Sequence, residues 1–140
     1  MGRISYLLDS NILSEPARLT PNDNVLQQLA KHDGEYATAA IVWHELVYGC
    51  ELLAASKRKK QLQSYLEMLL LNGLIVLPYD QLAADWYAIE RARLQRQELT
   101  CAYADGEIAA IAVTQKLTLV TRNTHDFHNF LNLALQNWFE

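Results

Sequence analysis

An α/β fold with a central, mostly parallel sheet between two layers of helices is what this sequence predicts, on three observations. Short apolar or β-branched runs alternate along the chain with longer stretches of helical periodicity, the pattern of strands joined by crossover helices. The polar residues that close these runs fall at strand ends, where such sheets bind ligands. The length of 140 residues suits one domain around one core, spanning 1–140.

The elements follow in order. Ile4 to Leu8 is a short apolar run closed by Asp9-Ser10-Asn11, a buried strand ending in a polar turn. Pro16 and Pro21 mark a loop. Asn22 or Asp23 then caps a helix running to Lys31, with Val25, Leu26 and Leu29 facing inward. After the Asp33-Gly34 turn, Tyr36–Ala39 reads as a strand. A helix from Ile41 to Leu53 places Val42, Leu46, Gly49 and Leu53 on one face. The next, from Ser56 to Leu71, opens on Lys57-Arg58-Lys59-Lys60 and carries the stripe Leu62, Tyr65, Leu66 and Leu69. Leu74–Leu77, stopped by Pro78, is a strand. Gln81–Gln97 is a helix with Leu82, Trp86, Ile89 and Leu94 as core positions. Ala104–Lys116 is another, followed by the strand Thr118–Thr121, a helical turn near Asp126-Phe127 and a short strand near Leu133.

Half of the residues are hydrophobic and a fifth are charged, an ordinary globular balance. No apolar run approaches the ~18 residues of a membrane span. The opening Met1–Asp9 meets an acid too early for a signal peptide. Cys50 and Cys101 form no C-x-x-C pair and read as reduced, buried thiols of a cytoplasmic protein. The net charge of −4 argues at first against a nucleic-acid partner. Two divalent cations bound by four acids would cancel it, so the sign of the charge does not decide.

Four acids stand where ligands bind. Asp9 ends the first strand, and Asp126 follows Thr118–Thr121 after a short loop. Asp105 opens a helix in line with Ile108, Ala109, Ala112 and Val113, so its carboxylate faces inward. Glu45, between Val42 and Gly49, borders the buried face of its helix. Carboxylates gathered at low dielectric raise one another's pKa or recruit cations. Mg²⁺ or Mn²⁺ takes oxygen ligands of this kind, which points to phosphodiester hydrolysis. Each acid also has a plainer role: turn residue for Asp9, helix cap for Asp105 and Asp126, solvated helix residue for Glu45.

The local motifs favour the metal site. Tyr6-Leu7-Leu8-Asp9-Ser10-Asn11-Ile12-Leu13-Ser14-Glu15-Pro16 resembles the opening of PIN-domain ribonucleases, especially the VapC and FitB toxins of bacterial toxin–antitoxin pairs. Trp43–Gly49 resembles their second motif, Ala104–Ala112 their third and Leu119–Phe127 their fourth. Trp138 matches a tryptophan common near their ends. The motifs keep the family's order over nearly the whole chain.

The resemblance implies a PIN-like three-layer α/β/α fold and Mg²⁺- or Mn²⁺-dependent cleavage of RNA by an endoribonuclease toxin. It implies Asp9, Glu45 and Asp105 as metal ligands, with Asp126 as the fourth, more variable acid. Ser10 stands where threonine is commoner. Asn11 and Asn123 match positions that orient a carboxylate or a water. A small antitoxin covering the acidic cleft and a toxin homodimer are its implied partners. Arg122 reads equally as a phosphate contact or a surface arginine. Lys57–Lys60 reads as a solvated helix start, with RNA backbone as the alternative. Two competing readings are a Mg²⁺-dependent phosphoacceptor or phosphatase domain and a non-catalytic binding module. Against the first, no lysine follows the late strand; against the second, all four acids are present.

Overall fold

The computed structural model describes residues 3–140. Met1 and Gly2, part of the stretch read against a signal peptide, lie outside them. Five strands form one sheet in the order β3-β2-β1-β4-β5. They are β1 (Tyr6–Leu8), β2 (Tyr36–Ala39), β3 (Ile75–Leu77), β4 (Thr118–Val120) and β5 (Leu135–Gln136). Every pairing is parallel, so the sheet is parallel throughout rather than mostly so. From β1 the chain winds outward through β2 to β3, then returns across the sheet to β4. The direction of winding therefore reverses between β1 and β4, and a crevice opens at the carboxyl ends of those two strands.

Side-chain alternation along the strands builds two cores. Leu7, Ala37, Ala39 and Leu119 face one side, under α5 (Gln81–Arg96) and α6 (Tyr103–Thr114). Leu8 and Val120 face the other, under α1 (Ser10–Leu13), α2 (Asp23–Lys31) and α4 (Lys57–Leu71). Leu46 of α3 (Ala40–Glu51) packs against both clusters. Among the described residues no helix is long and apolar enough to cross a membrane. Both cysteines are free, Cys50 buried and Cys101 half-buried.

Several sequence expectations are corrected. The turn after Asp9 is helical: α1 follows at once, with Ile12 and Leu13 buried. Four residues cannot sustain a helix alone; the Asp9 carboxylate accepting from the Ser10 N–H and the burial of those two side chains hold it. The loop containing Pro16 holds a 3-10 turn, Glu15–Ala17. Leu26 of α2 is exposed while Val25 is buried. On α3 Gly49 lies outward and Glu45 is exposed rather than bordering the buried face; Leu53 falls beyond the helix, which ends at Glu51, and is exposed.

The largest correction concerns α5. Leu82 and Ile89, read as core, are 67% and 72% exposed. The inward face carries Ala83, Tyr87, Glu90 and Leu94. Both sets have helical spacing, so periodicity cannot choose between them. The inward set contains a glutamate, which is tolerated because Arg93 neutralises it in place. The last strand lies at Leu135–Gln136, two residues beyond Leu133, in register with Leu119 and Val120.

Candidate active site

The sheet brings the first site residue to its place. Leu8 pairs with Val120 across β1 and β4, and the Asp9 N–H extends the ladder to the Val120 carbonyl at 2.9 Å. Asp9 and Thr121 are thus the next residues on adjacent parallel strands. Pleat alternation returns both to the face of Leu7 and Leu119, the face that α6 covers. Their side chains meet: Thr121 Oγ1 donates to Asp9 Oδ2 at 2.8 Å. The other carboxylate oxygen, Oδ1, accepts from the Ser10 N–H at 2.8 Å. Asp9 is 8% exposed and Thr121 fully buried.

Asn11 and Asn123 support this pair from behind. Asn11 Nδ2 donates to Thr121 Oγ1 at 3.4 Å, and its Oδ1 accepts from the Arg122 N–H at 3.0 Å. Asn123 takes part through its backbone, its N–H donating to Thr121 Oγ1 at 3.1 Å. Ser10 likewise contributes a backbone N–H. The residue that sequence reasoning missed is Thr121, the hub of these contacts. Its signal was there: it follows β4 as Asp9 follows β1, in the same pleat phase.

Asp105 enters from α6. It lies in the first turn, half-buried, with its helix anchored by close packing against α5. A Cβ on the next residue, Gly106, would meet the Tyr87 ring at 2.0 Å, so glycine is what lets the two helices approach here. Asp126 sits in the 3-10 turn Thr124–Phe127 and is exposed, while its neighbour Phe127 is buried and pins the turn. Arg122 is exposed, its guanidinium 4.4 Å over the Phe139 ring.

Electrostatics ties three of the four acids together. Burial pushes the Asp9 carboxyl above its ordinary range, against the opposing Thr121 and Ser10 hydrogen bonds, and the charge of Asp126 adds to the rise. Asp105 is pushed up to about 6 by burial, then by Asp9 and Asp126. Among the described residues, none of the four acids has a salt-bridge partner. Glu45 stands apart, exposed on α3 and absent from this coupling.

These donors suit a hard divalent cation. Carboxylates that repel one another, with no lysine or arginine to neutralise them, are what such an ion relieves. As the side chains stand, no group of three His, Cys, Asp or Glu residues among the described residues is close enough to form a full ligand cage. Mg²⁺ does not require one, since it commonly keeps several waters and takes one or two carboxylates.

Comparison with known proteins agrees with this geometry. The PIN domain family model matches residues 6–130. The chain is 34% identical to the Ribonuclease VapC2 of Rickettsia felis, over 95% of this chain and 97% of that one. It is 38% identical to the Toxin FitB of Neisseria gonorrhoeae, over 86% of this chain and 89% of that protein. The crystal structure of FitAcB from Neisseria gonorrhoeae superposes with a TM-score of 0.87 at 35% identity, covering 96% of this chain and 99% of that one. VapBC2 from Rickettsia felis, bound to a promoter DNA fragment, gives 0.82 at 31% identity, covering 96% and 99%.

Proposed function

Because this chain belongs to the PIN-domain family, alongside VapC and FitB ribonuclease toxins, we propose that it is a Mg²⁺- or Mn²⁺-dependent endoribonuclease, the toxin of a toxin–antitoxin pair. The observation that carries this reading is the uncompensated charge of Asp9, Asp105 and Asp126 at the β1/β4 crevice. A carboxylate cluster left without a basic partner costs stability, and a cation-dependent reaction gives it a use.

Asp9 and Asp105 are the residues that would hold the ion directly. Both Asp9 oxygens accept a hydrogen bond from the protein, which fixes the carboxylate plane and leaves one lone pair on each oxygen free. Asp126 and Glu45, both exposed, would act through water. Such an ion, when bound, activates water and stabilises the negative charge that builds on a phosphoryl group. Arg122 is assigned to a substrate phosphate: the Phe139 ring supports its guanidinium without using its N–H donors.

The antitoxin has a suitable surface. An apolar groove between α2 and α4 is lined by Leu13, Leu26, Leu29, Tyr65, Met68 and Leu69. Its apolar lining suits the apolar face of an amphipathic partner helix, and FitAcB and VapBC2 are among the solved relatives. Leu82 and Ile89, exposed on one face of α5, are the surface assigned to a toxin homodimer.

The test uses purified protein, free of partner, with total RNA in Mg²⁺, in Mn²⁺ and in EDTA. Cleavage is expected with either ion, none in EDTA, and a loss of more than about a hundredfold in Asp9→Asn. Cleavage that persists in EDTA or in the variant would sink the metal mechanism.

A further inference from the structure

The basic run at the start of α4 is a feature that the acidic site does not absorb. Lys57, Arg58, Lys59 and Lys60 fill the first turn of a helix that has no acidic residue there. Cations at that end oppose the helix dipole. Lys59 Nζ lies 3.9 Å from Glu51 Oε2. Among the described residues, Lys57, Arg58 and Lys60 have no carboxylate partner.

This helix start is formed, not frayed. Ser56 caps it, its hydroxyl accepting from the Lys59 N–H at 3.1 Å. Arg58 reaches across to the segment after α1, Nη1 donating to the Ala17 carbonyl at 2.7 Å. Arg18 stands on that segment, its side chain 59% exposed and joined to Glu15 at 3.3 Å. Arg18, Thr20, Arg58 and Gln61, with Ala17 and Leu19, line a cleft of about 570 Å³. Each arginine commits one nitrogen to a protein oxygen, and a guanidinium has five N–H groups in a fork that matches phosphate.

The cleft is joined to the acids by one short stretch of chain. Asp9 leads into α1 and the 3-10 turn that ends at Ala17. At helical rises that path is on the order of 15 Å, the reach of a few nucleotides. We propose that the Arg18/Arg58 cleft, together with Lys57 and Lys60 on the same first turn of α4 as Arg58, binds backbone phosphates of the RNA strand whose bond is cut at the acidic site. This assignment rests on the nuclease reading above. It also bears on how a chain of net charge −4 grips a polyanion: five of its twelve cations stand at this one corner, two of them beside Glu15 and Glu51.

The test compares wild type with Lys57→Gln/Lys60→Gln and, separately, Arg18→Gln. Arg58 is left in place because it also holds the Ala17 carbonyl. Binding to single-stranded oligouridylate is measured in EDTA over a range of salt, and cleavage of total RNA in Mg²⁺. The double variant is expected to bind about tenfold more weakly at low salt. Its salt slope should shrink by about 1.4, two contacts at roughly 0.7 each, and its cleavage of subsaturating RNA should fall with its affinity. Arg18→Gln should move affinity in the same direction. Affinity and slope equal to wild type in both variants would overturn the cleft assignment and leave the nuclease reading intact. Salt-dependent binding that the variants lose, beside a wild type that cuts no RNA, would uphold the cleft and sink the nuclease reading.

Discussion

Glu90 and Asp9 are both buried carboxylates, 5% and 8% exposed, and the fold treats them in opposite ways. Glu90 on α5 is fully answered. Arg93 grips it with Nε at 2.7 Å and a second guanidinium nitrogen at 2.9 Å, and the Leu131 N–H donates to it at 2.6 Å. The same arginine donates to the Asn129 carbonyl at 2.8 Å, so the pair ties α5 to the loop beyond Phe127. Arg93 holds the Glu90 carboxyl below its ordinary range. Asp9 has only two neutral donors, and its charged neighbours are acids, so its pKa rises. The difference teaches where to look for chemistry. A buried acid with its arginine is architecture; a buried acid whose neighbours are other acids is where chemistry is to be sought.

Three perturbations sharpen that contrast. Glu90→Ala should cost about 2 kcal/mol of stability, because it leaves the Leu131 N–H unanswered and Arg93 without its partner. Chemical denaturation measures it, and a loss within about 0.5 kcal/mol of zero would show that the clamp is decorative.

Thr121→Val should lower cleavage about tenfold while leaving the fold intact. The lost donor also stabilised ionised Asp9, so the acid limb of the pH–rate profile should move to higher pH. Thr121→Ser, which keeps the hydroxyl, should restore both rate and profile. A Thr121→Val profile that falls in rate without shifting would mean that the threonine only fills space.

Asp105→Asn should abolish cleavage yet raise the melting temperature of metal-free protein by a few degrees at neutral pH. The sign follows from proton uptake. An unfolded aspartate titrates near pH 4, whereas folded Asp105 titrates at about 6. The folded state therefore binds the extra proton between those values, and stability falls as pH rises through them. Above about 6 wild type carries the whole penalty, and below about 4 it carries none. The variant's advantage should accordingly vanish in acid; a constant difference across pH would mean that Asp105 is not the strained group. Saturating Mg²⁺ should stabilise wild type more than the variant.

By itself the sequence determined the layered architecture, the order of the strands and of the longer helices, and the places along the chain of three candidate acids. Apolar runs, helical periodicity and strand-end carboxylates are local properties, readable because each depends on neighbours a few residues away. Asp9 and Asp105 declared themselves in this way, and Asp126 by its place after β4. Tertiary structure decided what depends on distant partners. It chose which face of α5 turns inward: Leu94 and Trp86 pack on the core as read, but Leu82 and Ile89 face out and Ala83, Tyr87 and Glu90 take the inward places, Glu90 being held there by Arg93 and the Leu131 N–H. It left Glu45 on the exposed side of α3. It made Thr121 the hub of the site, because its partner Asp9 lies 112 residues earlier and meets it only through the β1–β4 register. It also turned Arg58, within a basic run that reads as a solvated helix end, into part of the wall of a cleft, through its contact with the Ala17 carbonyl. In each case the deciding interaction links residues far apart in the chain, where no local pattern reaches.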